Sequence, residues 1–568
     1  MKLLRGRRLV ASVGVTSVFI FACGRQQPGA GRESDGLSSA VETAAMQITG
    51  DYLRDAVAML ASDEFEGRAP GTAGDRRTRT FLTSRLEALG FRPGGPGGQW
   101  EQTFDVVGVT PKVPPTWRFQ GATSVELRAR DDFIAVSGVQ ADSASLDRAE
   151  VVFVGYGIEA PEYRWDDFKG VDVKGKVLLM LNNDPDWDPS LFEGVRRLYY
   201  GRWTYKYESA ARHGAAGAII IHTTPSAGYP WQVVQSSWSG EQFELPAEGE
   251  TRIQVRAWTT EAAARRIVAA AGKSLDDLVA AARSRDFAPV PLGLRTSLTL
   301  RNTLTKVQTA NVAGLLEGRD RELRREVVIF TAHHDHLGIG EPDSDGDRIY
   351  NGARDNATGC AQLLAIARAL SALPEKPRRS ILMLFVAAEE QGLLGSEFYA
   401  RHPTFPAGRI AANINYDGAG IWGRTTDVTF VGLGKSSLDD VARAAAARKG
   451  LSLEGDQFPD RGFYYRSDQF SFAKIGVPAL KFGTGLHVVG KPESWGREQM
   501  EAWEARRYHQ PGDELDASWN FDGMVAEAQL GLYSGWAIAE ADSMPTWNAG
   551  DEFEAARKAA IAATQGQP

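Results

Sequence analysis

The sequence predicts an α/β fold, a doubly wound mixed sheet interrupted by a smaller inserted module. Three observations lead there. Between Asn311 and about Asp542, short apolar runs alternate with helical stretches, the pattern of a sheet covered by helices on both faces. From about Val109 to Leu300 the rhythm changes to short strand-like runs broken by turns. Sixty glycines and 26 prolines in 568 residues supply many turns and argue against a helical bundle. The length allows roughly two to four domains. The expected organisation is a leader over 1–23, a tether over 24–45 and the first part of the main unit over 46–108. An insert follows over 109–300, the rest of the main unit over 301–545, and a polar, loosely packed tail over 546–568.

Composition bounds the partners. At 43% hydrophobic and 24% charged the chain reads as globular. Its formal charge of −8 becomes −12 without the leader's Lys2, Arg5, Arg7 and Arg8, a balance unsuited to nucleic acid or an anionic membrane surface as main partner. That basic stretch precedes the apolar run Leu9–Ala22, too short for a spanning helix and of the length of a signal-peptide core. The run ends in Ile20-Phe21-Ala22-Cys23, which resembles a bacterial lipobox, although Phe21 is bulkier than usual there. Export to the cell envelope or periplasm is expected, with a lipid anchor at Cys23. Cys360 is the only other cysteine, so a disulfide framework within the monomer is excluded.

The elements follow in order. Ile48–Leu89 reads as two helices around the loop Asp63–Thr72, ending at Gly90 and the breaker Pro93–Gly98. In the insert, Val151–Gly155, Val177–Leu181 and Ala218–Ile221 are strands, and Tyr207–His213 is helical. In the main unit, Val327–Phe330, Ile381–Phe385 and Ile414–Tyr416 are strands, while Thr358–Leu373 and Leu438–Lys449 are helices. Open α/β sheets bind ligands beyond the carboxyl ends of their strands, and several polar motifs stand there.

Five segments carry the chemistry. His333 and Asp335, in Ala332–Gly338, form an H-x-D pair after an apolar strand; a metal-binding imidazole needs a carboxylate or carbonyl to fix its tautomer. Asp355 lies in a glycine-flanked loop opening a helix, a place where a cap also occurs. Glu389 and Glu390 follow a buried strand; adjacent carboxylates repel, so one suits metal binding and the other proton transfer, unless both only start a solvated helix. Asp417 ends a strand, and Tyr508 and His509 lie in a polar stretch. Each alone has an ordinary structural reading.

Together, in this order and strand context, the five segments resemble the clan MH zinc exopeptidases, the family of bacterial leucyl-type aminopeptidases, glutamate carboxypeptidase and glutaminyl cyclase. The likeness covers most of 46–108 and 301–542. It implies two Zn²⁺ ions, one held by His333 and Asp417, the other by Glu390 and His509, with Asp355 bridging. It further implies Asp335 orienting His333, Glu389 as general base towards a metal-bound water, and Tyr508 hydrogen-bonding the tetrahedral intermediate. The three carboxylates and two imidazoles of that set form a mixed N/O site suited to zinc. The implied activity is removal of N-terminal residues from peptide substrates, with carboxypeptidase or cyclase chemistry as the alternative. A non-catalytic binding protein on the fold would lack ligands or the base, and here all are present.

Other motifs read plainly. Phe153–Gly157, Val173–Val177 and Ala218–Ile221 make the insert resemble a protease-associated domain. Asp343–Asp347 resembles a calcium loop but lacks its distal glutamate and reads as a solvated turn. His334, His336 and His487 are expected to be structural or pocket-lining, and Cys360 a small core residue. Arg466-Ser467-Asp468 resembles a family segment near the substrate pocket.

Overall fold

The structure, a computed structural model, describes residues 33–564. The expected leader and Cys23 anchor lie outside the described residues.

The main unit is built on alternating apolar runs that bury both faces. Ser380–Val386, Val327–His333, Ile410–Asn415 and Ala479–Gly483 run parallel in that spatial order. The sheet is mixed because Leu316–Val312 pairs antiparallel to Ser380–Val386 on one side, and Asp427–Val431 antiparallel to Ala479–Gly483 on the other. Along Val327–His333 the side chains alternate. Val328, Phe330 and Ala332 face the helices Gly50–Leu60, Thr358–Ser371 and Asp522–Glu540, while Val327 and Ile329 pack with Tyr399 and Phe472 on the opposite face. Two-sided burial explains why these strands read as continuous apolar runs. The helix Gly50–Leu60 starts where the Thr49 hydroxyl accepts from the Tyr52 N–H at 3.3 Å, an N-cap interaction.

The insert has its own sheet, with Ser143–Phe153, Val177–Leu181, Gly217–His222 and Val255–Thr260 parallel and Phe133–Ser137 antiparallel at the end. Its cores gather Trp117, Phe153 and Tyr205 on one side and Trp258, Phe168 and Tyr207 on the other.

Three boundaries differ from the sequence reading. The edges expected at 108/109 and 300/301 fall inside strands: Glu101–Lys112 pairs with Arg301–Val312 without a register break, and both strands cross from one unit to the other. Strand periodicity continues through the crossing, so no linker composition marks it. The tether expected to reach residue 45 ends earlier, because the helix Glu33–Ala45 buries Val41, Ala44 and Ala45 in the main core. The described part of the tail is packed. Trp547 and Phe553 are buried beside Tyr464 and Tyr465, and Arg557 donates to the carbonyls of Ala407 and Ile410 at 3.2 and 2.9 Å. Its anchors are two aromatics and one arginine on an alanine-rich helix, Glu554–Thr564, a pattern with little apolar periodicity to read.

Candidate metal centre

The strand Val327–His333 ends by delivering His333 to the carboxyl edge of the sheet. Its neighbours Ser380–Val386 and Ile410–Asn415 lead into Glu389–Glu390 and Asp417, and the tight turn Ala353–Ala357 brings Asp355 between them. His509, with a positive φ of 57°, comes from the far segment. The five residues expected to hold metal, and Glu389 with them, converge here.

Asp355 occupies the middle. Its Oδ1 lies 3.2 Å from His333 Nε2 and its Oδ2 lies 3.4 Å from His509 Nε2. Asp417 Oδ1 is 3.6 Å from the same His333 nitrogen, and Glu390 Oε2 is 2.9 Å from the same His509 nitrogen. Glu389, Glu390 and His333 also approach closely enough to share an ion. Yet Nε2 of His333, His336 and His509 is buried with no aligned hydrogen bond. Buried ring nitrogens that face carboxylates without bonding them fit a divalent cation lying between, and the N/O donor set suits zinc.

The electrostatics are those of a crowded anionic cavity. Burial opposes ionisation of Asp355, but the facing imidazoles of His333 and His509 outweigh it and hold this carboxyl well below the usual range. Burial likewise opposes Asp417, which the charges of Lys481 and His333 pull down. Glu390 overcomes both burial and the Asp355 charge through His509 and His336 and stands at about 2. Glu389 goes the other way. Burial, joined by the charges of Glu390, Asp417 and Asp468, outweighs His333 and raises it well above a normal glutamate. Neighbouring carboxylates with divided proton affinities suit one to ligation and the other to proton transfer.

Asp335 differs in detail from its expected role. The ring Nδ1 of His333 lies 3.3 Å from the Asp335 backbone carbonyl and 3.8 Å from the carboxylate, so the carbonyl is the tautomer-setting partner. The carboxylate instead accepts the backbone N–H groups of Glu389 and Glu390 at 3.1 and 3.3 Å, fixing the turn that carries both. Tyr508 is 38% exposed and stacks on His509 with ring centroids 3.8 Å apart, at the open side of the centre.

Several contributors were not singled out by sequence. His336, expected to be structural or pocket-lining, puts Nδ1 2.6 Å from Glu390 Oε1 and forms a possible metal group with Asp355 and Glu390; its place three residues after His333 was the available signal. Lys481 holds the second oxygen of Asp417 at 2.9 Å, and nothing in its strand context announces that. Asp513 accepts the N–H groups of Arg354 and Asp355 at 3.1 and 3.0 Å. Arg68 is 1% exposed and donates to four carbonyls: His334 at 2.9 Å, Leu60 at 2.7 Å, Asn351 at 2.6 Å and Gly352 at 2.8 Å. It thereby clamps the loops bearing His333 and Asp355. His334, bonded to buried Asp75 at 3.2 Å, is structural as expected. Cys360 is buried, and Asp343 closes a turn by accepting from the N–H groups of Asp345 and Asp347.

Carboxylates and imidazoles converging beyond parallel strand ends define a metal-dependent hydrolase. Residues 311–532 match Peptidase family M28. The chain is 26% identical over 465 residues to aminopeptidase YwaD of Bacillus subtilis, covering 80% of this chain and 78% of that protein. It is 28% identical over 216 residues to leucine aminopeptidase 2 of Trichophyton rubrum, covering 36% and 40%. Among solved structures, an aminopeptidase from Aneurinibacillus sp. strain AM-1 is similar with a TM-score of 0.47 at 18% identity, covering 89% of this chain and 97% of that one.

Proposed function

We propose that this M28 peptidase is an aminopeptidase that works with two zinc ions. His333 and Asp417 would hold one ion, Glu390 and His509 the other, with Asp355 shared. The observation that carries the reading is Asp355 turning one oxygen to each imidazole, at 3.2 and 3.4 Å, the disposition a bridging carboxylate needs. The direction of cleavage is supported by the relatives, named aminopeptidases, one of which aligns along 80% of this chain.

The ions, when bound, supply Lewis acidity to the scissile carbonyl and acidity to a water. The chain supplies the rest. Glu389 takes a proton from the attacking water and returns it to the leaving amine, a shuttle that its raised proton affinity suits. Asp335 keeps that carboxyl in place through the Glu389 and Glu390 N–H groups. Tyr508, at the open side, donates to the oxyanion of the tetrahedral intermediate. We also infer a protease-associated character for the insert and export with a lipid anchor at Cys23, supported by the basic stretch and the apolar run before it.

The test is hydrolysis of matched free-amine and N-blocked peptides, with and without a chelator, beside Glu389→Gln. Cleavage confined to free-amine substrates is expected, abolished by chelation and reduced ~10²-fold or more in the variant, the scale of lost general-base catalysis. Release of C-terminal residues from N-blocked peptides would make it a carboxypeptidase. Cyclisation of N-terminal glutamine without hydrolysis would make it a glutaminyl cyclase.

A further inference from the structure

Asp355, Asp417 and His509 reach the metal centre on three separate segments, and one buried side chain joins the three. Arg354 precedes Asp355 in the turn Ala353–Ala357 and is 6% exposed. Its own main chain is fixed on both sides: the N–H donates to Asp513 Oδ1 at 3.1 Å, and the carbonyl accepts the Thr358 hydroxyl at 2.7 Å. Its side chain reaches the loop after Asp417. There Nε donates to the Ala419 carbonyl at 3.0 Å, and Nη2 lies 3.9 Å from where a Cβ on Gly418 would stand.

The same guanidinium lies over two indole rings. Its central carbon is 5.1 Å from the ring centroid of Trp422, in the loop that follows Asp417, and 4.3 Å from that of Trp503, on the helix Trp495–Arg506. A guanidinium plane stacks on aromatic faces, and the attraction grows when water is excluded. Trp503 matters to that helix, because of its 12 residues only Gly496 and Trp503 are buried. Met500, three residues earlier, brings its sulfur to 3.4 Å from Arg354 Nη2. The Trp503 carbonyl then accepts the N–H groups of Arg507 and Tyr508 at 2.8 and 3.2 Å, and its ring lies 5.7 Å from that of Tyr508. The place of His509, the next residue, follows from the place of Trp503.

We propose that Arg354 is a positioning residue that ties the Asp417 loop and the His509 segment to the turn carrying Asp355, and so sets the gap between the two metal positions. The inference rests on the two-zinc reading and deepens it. Asp417 belongs to one position, His509 to the other, and Asp355 to both. A side chain fixed to all three carriers therefore governs the separation, about 3.5–4 Å in two-metal hydrolases, that a bridging carboxylate spans. Arginine suits the task because its planar fork stacks on rings while an edge N–H bonds a carbonyl, which a lysine ammonium does not match.

The experiment compares the full chain with Arg354→Met, which keeps the length but removes charge and donors, in two readouts. The first needs no metal: hydrogen exchange of the metal-free protein, resolved by mass spectrometry of its peptides. Exchange is expected to rise ~10-fold or more in both 417–423 and 495–509, as local openings lose their restraint. The strands Val327–His333 and Gly217–His222 should stay as in wild type. A rise in one of the two segments alone, in neither, or throughout the chain overturns the tie.

The second readout is electron paramagnetic resonance of protein saturated with cobalt(II) in place of zinc. Wild type should show two ions spin-coupled across their short separation, and the variant, with both ions bound, should lose the coupling. A residue that only stabilises the fold would weaken cobalt binding and leave the coupling of the loaded centre intact, and that result overturns the proposal. If wild type takes up a single cobalt, the two-zinc reading fails by itself. Exchange raised in both segments then still sustains the tie among the three carriers, and unchanged exchange overturns it.

Discussion

Arg68 lets the clamp behind the metal centre be tested directly. Replacing it with methionine keeps most of the volume but removes every donor. The carbonyls of Leu60, His334 and Asn351, now bonded at 2.6–2.9 Å, would lose their partner in a site where Arg68 is 1% exposed, while the Gly352 carbonyl keeps the Ala357 N–H at 3.1 Å. An unsatisfied buried acceptor costs about 1–3 kcal/mol. Three at full weight would overstate the loss, because releasing a buried cation and loop relaxation give some back, leaving an expected loss of about 4 kcal/mol. Since His334 and Asn351–Gly352 flank His333 and Asp355, the damage should appear twice. Urea unfolding of the metal-free protein should show a lower midpoint, and competition with a coloured chelator should show zinc affinity reduced at least ~10-fold, as for lost outer-shell partners. Arg68→Lys, which keeps the charge but not the fork, should fall between. An R68M protein with wild-type midpoint and wild-type zinc affinity would refute the clamp.

Glu527 is buried, accepts the Gly420 N–H at 3.1 Å and is raised by burial to about 7. An acid raised in the folded state releases its proton more easily when unfolded. Stability is therefore lost as pH climbs from the unfolded value near 4.5 through the folded value near 7. Glu527→Gln keeps an acceptor for Gly420, so it should match wild type near pH 4 and exceed it by at most about 3 kcal/mol above pH 8 in chemical unfolding; a pH-independent difference would contradict this. A chain ending at residue 545 would lose the buried Trp547 and Phe553, and removing two such rings should cost more than about 4 kcal/mol. Differential scanning calorimetry showing an unchanged melting temperature would return the tail to an ornamental role.

Much of the main unit was legible because two-sided burial writes itself as uninterrupted apolar runs. Val327–Phe330 and Ile381–Phe385 lie within observed strands, and the polar residues just beyond them are those that meet at the centre. What escaped was whatever depended on partners distant in sequence. The Asp335 carboxylate reaches the Glu389–Glu390 turn rather than its neighbour His333, a choice set by loop geometry and not by the H-x-D spacing. His336 meets Glu390 and Lys481 meets Asp417 across separate strand ends.

The ribbon joining the two units also says how the larger unit came to host the smaller. Lys112 and Arg301 are directly opposed partners in an antiparallel ladder, so the 188 residues between them occupy the place of a hairpin turn. Seen that way the insert is an overgrown β-turn, and a two-residue Asn-Gly link, the tight connection antiparallel strands favour, would close the ladder again. Such a miniature would keep every residue of the metal centre while discarding the insert's own sheet. It would thus separate the metal centre's own chemistry from the contribution of the insert.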